Sequence, residues 1–413
     1  MTSPIAIIGA GLTGCCVALE LARRHHDVML IEQDALPMNR ASLRNEGKIH
    51  LGLIYANDNT LETAQLQLRA ALRFNLLLEH WLGDRLQLIG VSTPFDYLVA
   101  QDSLIEPSEL ASFYAQVDKI YQAELASDAS LSYLGLRPER LAYRLDPHQM
   151  DDVFSQSLVK GAFRTQERAI DTEDLATQIR HAISANKKIT LLSEHEVRGI
   201  ERTGKSFIVK GMVRDVPFCL DAKQVVNASW ERRLAIDQTL GISPRPNVLH
   251  RLKYRVICRT PEALKNAPSM TMVIGRYGDI VIRPNGTTYL SWYPSCLQGW
   301  TPEVAPPRTW DAACRGEPDP EVAASVRDAT IRALARWVPA IASAEVLKVD
   351  AGAIVADGRT DVDDASSGLH RRATSGVFTQ GGYHSVDPGK LTAAPLFAYE
   401  VAERVDRTAR GAN

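Results

Sequence analysis

Read from its amino end, the chain alternates between short apolar runs and longer stretches of helical periodicity. Ile5-Ala6-Ile7-Ile8 is an uninterrupted apolar run, as a strand buried on both faces requires. Cys15 to Arg24 then reads as a helix, and Val28 to Ile31 as a second parallel strand ending in Glu32. Leu61 to Trp81 carries Leu, Ala, Phe and Trp on one broad face at helical spacing, and Pro107 to Ala126 repeats the pattern after a Pro-Ser-Glu start. Asp171-Thr172-Glu173-Asp174 opens a further helix ending near Asn186, with acids in the first turn where the dipole favours them. Short strands follow, broken at Gly204-Lys205 and Arg214-Asp215, and the last of them, Gln224 to Asn227, is again a buried run.

From Leu249 to Pro294 the pattern changes. "RLKYRVICR", "SMTMVIGRYGDIVIRP" and "GTTYLSWYP" alternate polar and apolar residues, which predicts a half-exposed antiparallel sheet. Trp300 to Asp319, rich in proline and charge, reads as a surface loop. Pro320 to Trp337 reads as a helix, and Val346 to Val355 as a strand returning to the first sheet. Ser375 to Val405 gives a strand, a glycine-rich turn and a closing helix. The expected fold class is α/β: a Rossmann-like dinucleotide domain, a parallel sheet with helices, plus an antiparallel-sheet substrate domain. The boundaries that follow are 1–82 with 148–235 and 346–413 for the first, and 83–147 with 236–345 for the second.

Composition narrows the picture without naming a chemistry. The 413 residues suffice for two domains sharing a cleft, and 47 basic against 49 acidic residues give a net charge of −2, no reason to expect nucleic acid or an anionic membrane as partner. No apolar run is long enough to span a bilayer, and a strand entered at Ile5 leaves no room for a signal peptide. Cys15, Cys16, Cys219, Cys258, Cys296 and Cys314 have neither CxxC nor metal-ligand spacing. A cytoplasmic protein with reduced thiols and no metal site is the expectation.

The chemistry enters at Gly9-Ala10-Gly11-Leu12-Thr13-Gly14, a GxGxxG between the first strand and the helix. Gly9 permits the tight turn, Gly11 lets backbone approach a pyrophosphate, and Gly14 lets helix pack on strand. The helix would aim its first N–H groups at the phosphates. Glu32, with Gln33 beside it, can accept both ribose hydroxyls of an adenosine and would repel a 2′-phosphate. The motif by itself leaves NAD and FAD open. Dinucleotide segments at both chain ends, interrupted by a mixed antiparallel region, do not describe a simple NAD dehydrogenase.

Four places together resemble the FAD-dependent oxidoreductases of the D-amino-acid oxidase superfamily. They are the glycine motif with Glu32; Arg44-Asn45-Glu46-Gly47-Lys48-Ile49-His50, similar to an N-x-G-x-I-H segment of the hydroxy-acid branch; Val225-Val226-Asn227-Ala228-Ser229-Trp230, similar to a VVNAAG strand end; and Pro388-Gly389-Lys390-Leu391-Thr392, similar to a GGKLT turn. The resemblance implies FAD; sarcosine oxidases of the family link theirs to a cysteine, and the matching stretch Val349 to Asp364 has none, so a non-covalent FAD is expected. It implies cofactor contacts from Ser42, Asn45, Gly47 and Lys48 along pyrophosphate and ring, from Val197 at adenine, and from Ala228, Ser229, Leu391 and Thr392 beside the ring. Ser42 and Asn45 could equally be turn residues satisfying their own backbone. Gly381, Gly382 and Gly389 would let backbone approach a flat ring. A cation at Lys390 near the flavin N1–C2=O edge would stabilise its reduced, anionic form.

The substrate is less legible. Amino-acid oxidases of the family often carry a GxRP arginine for a substrate carboxylate; the aligned Gly352-Ala353-Ile354-Val355 has none, and Arg359 follows a few residues on. Tyr254, Arg255, Arg283, Trp292 and Tyr293 are polar and aromatic candidates from the antiparallel domain, with Arg255 and Tyr293 put forward for catalysis. His50 and His384 are candidate bases, since alcohol oxidation needs a group to take the hydroxyl proton. The leading expectation is removal of hydride from a C–H bearing an amine in a small substrate, with electrons passed to O2 or another acceptor. A 2-hydroxy-acid or alcohol dehydrogenase is the alternative. A flavin monooxygenase stands behind it, without the late GD motif or the second GxGxxG it would need; a non-enzymatic FAD-binding protein is a further alternative.

Overall fold

A computed structural model describes residues 4–146 and 153–409. The predicted substrate-domain segment 83–147 and the returning segment from 148 therefore run partly outside the described residues.

The first sheet has six strands in the order Gly376–Gln380, Tyr383–Asp387, Gln224–Asn227, Ile5–Ile8, Val28–Ile31, Ile189–Leu192. All neighbours are parallel except the edge strand Gly376–Gln380, which forms a hairpin with Tyr383–Asp387. Strands from both ends of the chain thus lie side by side. The helix Leu12–Arg23 covers one face and packs against the closing helix Ala394–Ala409, joining Cys15, Cys16, Val401, Ala402 and Val405 in one apolar core. Helices Glu62–Leu82, Pro107–Ser127 and Thr172–Ala185 form where the apolar spacing predicts them. Asp171 caps the last by accepting from Glu173 and Asp174 N–H. The breaks at Gly204 and at Arg214-Asp215 are tight turns of a three-stranded antiparallel sheet, with left-handed backbone at all three residues.

The second sheet has nine strands and is antiparallel except for one parallel pair, Phe95–Ala100 with Ser269–Val273. Toward one end the long strand Val248–Arg259 pairs with Thr287–Trp292, Leu297–Thr301 and Val346–Asp357. Two strands depart from the predicted partition. Val159–Thr165 pairs with Phe95–Ala100, and Val346–Asp357 pairs with Val248–Arg259, so neither belongs to the first sheet as the domain boundaries had it. An apolar run records that a strand is buried, not which neighbour buries it.

The sheet is also not half-exposed. Val248–Arg259 and Ser269–Val273 are buried almost throughout. The alternation separates an apolar face, where Leu252, Tyr254, Val256 and Cys258 join Val326 and Leu334 of helix Pro320–Ala335, from a polar face turned toward the first half of the molecule. Residues Trp300 to Asp319 are no simple surface loop either. They include the end of strand Leu297–Thr301 and the short helix Asp311–Arg315, with Ala313 and Cys314 buried.

Candidate active site between the two sheets

A cleft runs between the two halves, lined from Ile8 at the first sheet to Ala353 and Ile354 at the second.

Its first wall is the glycine segment. Gly9 has φ of +92° and sits so close to the strand end Gln224–Asn227 that a Cβ there would lie 2.8 Å from the Ala228 carbonyl oxygen. Gly11, Leu12 and Thr13 line the cleft at the N-terminus of helix Leu12–Arg23, whose first amides lack intrahelical acceptors. Ser42 Oγ accepts from Leu12 N–H at 2.9 Å, holding the 41–45 segment against that terminus. Glu32 and Gln33 line the cleft, and Val197 faces it from the three-stranded sheet. The Glu32 carboxylate accepts from Ala10 N–H at 2.7 Å and Asp34 N–H at 2.9 Å. Burial raises its pKa to about 7 against those two bonds. Ala228, Ser229, Gly389 and Leu391 complete this side.

These residues fit FAD: a glycine cradle that side chains would fill, helix amides for phosphates, and a carboxylate with both oxygens fixed where a ribose would lie. Other expected contacts play supporting parts. Asn45 lines the cleft but spends its amide on its own turn, donating to Ala41 and Ser42 carbonyls and accepting from Gly47 N–H. Gly47 and Gly14 lie behind the surface, each required by close backbone approach. Thr392 does not line the cleft; its hydroxyl accepts from His50 N–H at 2.9 Å and so ties the early chain to the late turn.

Four expected roles are corrected. His384 is fully buried in strand Tyr383–Asp387, its ring within hydrogen-bond distance of Gln224 and Thr379, and burial lowers its pKa to about 4. It does not face the cleft. Gly382 belongs to the hairpin turn at the edge of the first sheet, packed beside Phe207 and Gln224. Arg255 donates to both oxygens of Asp350, the shorter bond 2.6 Å, and to the Leu43 carbonyl; it is a buried link between the halves. Tyr293 likewise is outside the cleft lining, with its hydroxyl bonded to Arg251 and Asp361. Arg283 is buried beside Asp171, and Arg359 is exposed and bonded to Asn247.

The chemistry-bearing end of the cleft is formed instead by Glu46, Lys48, His50, Lys253, Tyr289 and Lys390. Lys48 is neutralised by Asp279 at 2.8 Å and lies over the Phe95 ring. His50 stands between two carboxylates, Nε2 3.7 Å from Glu46 and Nδ1 4.0 Å from Glu167, with neither nitrogen hydrogen-bonded. Burial, with Lys390 and Lys48 nearby, lowers its pKa although both carboxylates oppose this, so the ring is neutral and free to accept a proton. Burial works against the Glu46 charge, but His50, Lys390 and Lys253 outweigh it and hold the carboxyl well below its usual range. Burial lowers Lys390 to about 8 even with Glu46 close by. Glu46, Lys253 and Tyr289 were not among the candidates from sequence. Glu46 lay inside a matched motif, and Lys253 lies two residues from Arg255 on the same strand face, where period-two alternation places it.

A segment predicted to be loop closes the cleft from outside. Arg40 donates to Asp311 at 2.7 Å and to Asp34, and Arg44 donates to the Arg315 carbonyl at 2.6 Å, so helix Asp311–Arg315 is strapped across the 40–44 segment. Among the described residues, no helix is long and apolar enough to cross a membrane.

Comparison with known proteins agrees with this architecture. The family model for FAD-dependent oxidoreductases (DAO) matches residues 4–404. No curated protein matches the sequence. Among solved structures, glycine oxidase from Geobacillus kaustophilus is 19% identical with a TM-score of 0.69, the alignment covering 98% of this chain and 94% of that one. L-proline dehydrogenase from P. horikoshii is 16% identical with a TM-score of 0.66, covering 99% and 94%. L-α-glycerophosphate oxidase from Mycoplasma pneumoniae, solved with FAD bound, is 15% identical with a TM-score of 0.61, covering 99% and 95%. At these identities the structures establish a shared fold. With the family match spanning nearly the whole sequence, the chain belongs to the DAO family of FAD-dependent oxidoreductases.

Proposed function

We propose that this enzyme oxidises a carbon–hydrogen bond adjacent to an amine in a small substrate. The observation that carries the reading is Glu46, a charged carboxylate lining the cleft beside a neutral His50. A carboxylate there fits a substrate ammonium, and His50 fits the proton that the ammonium must lose before its nitrogen lone pair can assist hydride departure. FAD supplies the two-electron acceptor for the hydrogen leaving carbon. The residues fitted to hold it are Glu32 and Gln33 at the ribose, Val197 at adenine, Gly9, Gly11, Leu12, Thr13 and Ser42 at the pyrophosphate, and Asn45, Ala228, Ser229, Gly389, Lys390 and Leu391 toward the ring. We take the cofactor to be non-covalent: among the described residues the cleft lining holds no cysteine, the residue to which sarcosine oxidases link theirs. Loss of that proton and then of hydride leaves an iminium ion, which water converts to a carbonyl compound and an ammonium. Oxygen or another acceptor then takes the two electrons.

The names glycine oxidase and L-proline dehydrogenase point the same way, whereas L-α-glycerophosphate oxidase is named for an alcohol substrate. One observation favours that second reading, oxidation of a hydroxyl: both His50 nitrogens are unpartnered, as a base for an alcohol proton would be.

Anaerobic mixing of the FAD-loaded enzyme with panels of amines, amino acids and 2-hydroxy acids decides between them. The expected result is bleaching of the flavin visible band by an amine or amino acid, with ammonia or an amine released on hydrolysis. Bleaching by hydroxy acids alone would contradict the amine reading.

A further inference from the structure

The short ladder that places His50 also places a buried carboxylate beside it. Lys48–Ile49 pairs antiparallel with Arg168–Ala169, Lys48 opposite Ala169 and Ile49 opposite Arg168. One step further, that register sets His50 opposite Glu167, and side chains directly opposite on such a pair share a face. Glu167 is fully buried and held from several sides. One carboxylate oxygen accepts from Leu51 N–H at 2.7 Å, and the other from the Tyr97 hydroxyl. Its backbone N–H donates to Thr165 Oγ1 at 3.2 Å, and its carbonyl accepts from Phe95 N–H at 2.9 Å. Among the described residues, the one side chain within ion-pair distance that can carry positive charge is His50, whose Nδ1 lies 4.0 Å from the Leu51-bound oxygen.

The two carboxylates beside His50 differ in kind. Glu46 stands at Nε2, lines the cleft, and has Lys390 and Lys253 nearby. Glu167 stands at Nδ1 and is not among the cleft-lining residues. The other neighbours of the ring are Lys390 and Lys48, which oppose positive charge on it, and the Tyr55 ring, edge-on at 6.0 Å. A neutral imidazole has one N–H and one acceptor nitrogen, and a carboxylate that has accepted two hydrogen bonds still has lone pairs to offer. Glu167 therefore draws the N–H to Nδ1, while the cations around Glu46 weaken its competing pull at Nε2. The acceptor nitrogen is then the one on the side of Glu46 and the cleft, where a substrate proton arrives.

We infer that Glu167 is a positioning residue that keeps the His50 proton on Nδ1, so that Nε2 takes the substrate's proton, and that it stands against the imidazolium so formed. In that step the bond from substrate nitrogen or oxygen to hydrogen breaks and Nε2–H forms; Glu167 stays a carboxylate and no electrons change hands. The 4.0 Å gap is longer than a hydrogen bond in the resting site, and a small movement of the ring closes it as charge develops. The inference rests on the reading that His50 is the proton acceptor, and holds for an amine or a hydroxyl.

The first test needs no substrate. FAD-loaded enzyme carrying isotopically nitrogen-labelled histidine is followed by NMR, where the ring nitrogen shifts report which nitrogen bears the proton; the His50 signals are those lost in His50→Asn. The expected result is an Nδ1–H tautomer in wild type and in Glu167→Asp, and an Nε2–H tautomer in Glu167→Gln, whose amide can offer Nδ1 a donor. The pH midpoint of His50 should fall by about one pH unit or more in Glu167→Gln, because a nearby carboxylate favours the charged ring. Anaerobic reduction by whichever amine or hydroxy acid bleaches wild type should slow by about a hundred-fold in Glu167→Gln and by less than about tenfold in Glu167→Asp, at unchanged FAD content. An Nε2–H tautomer in wild type, or a tautomer, midpoint or reduction rate unmoved in Glu167→Gln, would overturn the assignment. Should Glu167→Gln fail to hold FAD, the wild-type tautomer alone decides. If no amine reduces the flavin, the amine reading fails while the His50 signals still decide the part of Glu167.

Discussion

A Gly14→Val variant is expected to purify colourless and to remain so when FAD is added. Gly14 lies in the first turn of helix Leu12–Arg23, where even a Cβ would stand 1.9 Å from the Gly9 carbonyl oxygen. Ordinary contact requires the helix to retreat by about 1 Å or more. Gly9 is itself fixed against Ala228 and Ser229, so the turn cannot follow, and the helix N-terminus leaves the position at which Gly11, Leu12 and Thr13 line the cleft. The measurement is flavin absorbance per polypeptide before and after incubation with FAD, with circular dichroism to establish that the variant is folded. A folded variant that takes up FAD like wild type would show that the helix terminus does not form the phosphate site.

The second large effect is expected at Lys390. Its ammonium lines the cleft without a carboxylate in ion-pair contact among the described residues, and burial lowers its pKa to about 8. A cation there stabilises negative charge that develops on the cofactor ring, so Lys390→Met should slow anaerobic flavin reduction by about a hundred-fold and weaken sulfite binding in parallel. The sign of the pH dependence follows. The group is protonated below about 8 and loses its charge above, a transition that pairing with bound FAD moves upward, so wild-type sulfite affinity should decline as pH rises through or above that region. In Lys390→Met the transition should disappear. Stopped-flow reduction and a sulfite titration across pH measure both; unchanged values in the variant would remove Lys390 from the ring.

How much was legible beforehand depended on whether a property is local. The strand, glycine turn, helix and acid from Ile5 to Glu32 could be read because each residue's requirement is set by its chain neighbours: a turn, a close approach, a dipole end. The same holds for the helix opened by Asp171 to Asp174, with Glu173 and Asp174 in its first turn. Sheet membership is not local. Val346–Asp357 reads as a buried strand in either sheet, and only the pairing with Val248–Arg259 decides. His384 shows the same limit at the site. It is six residues from Lys390, yet its ring turns into the sheet between Gln224 and Thr379, while the chain reaches the cleft only at Pro388. Proximity along the chain was mistaken for proximity in space.

The polar face of the second sheet misled in a more instructive way. Alternation of Arg251, Lys253 and Arg255 with Leu252 and Tyr254 was read as water on one side. The face meets the other half of the molecule instead, and its charges are matched to Asp361, Asp350 and the cleft. Sequence could place the three on one face, but which of them lacks a partner depends on carboxylates about a hundred positions away. Arg255, the one singled out, proved to be the most completely satisfied; its bidentate link to Asp350, with the Leu43 carbonyl as third partner, joins the halves. A buried pair of this kind sets geometry, and its loss would be felt throughout the cleft.

The account's central claim is that one cleft between two sheets, assembled from both ends of the chain, holds FAD on one wall and the substrate against the other. A crystal structure of the FAD-loaded enzyme tests it most directly. The claim predicts ribose at Glu32, pyrophosphate at Gly11 to Thr13, and the ring at Lys390 and Leu391, with no bond from protein to flavin. A ring lodged away from Lys390, or a cofactor bound outside this cleft, would contradict it.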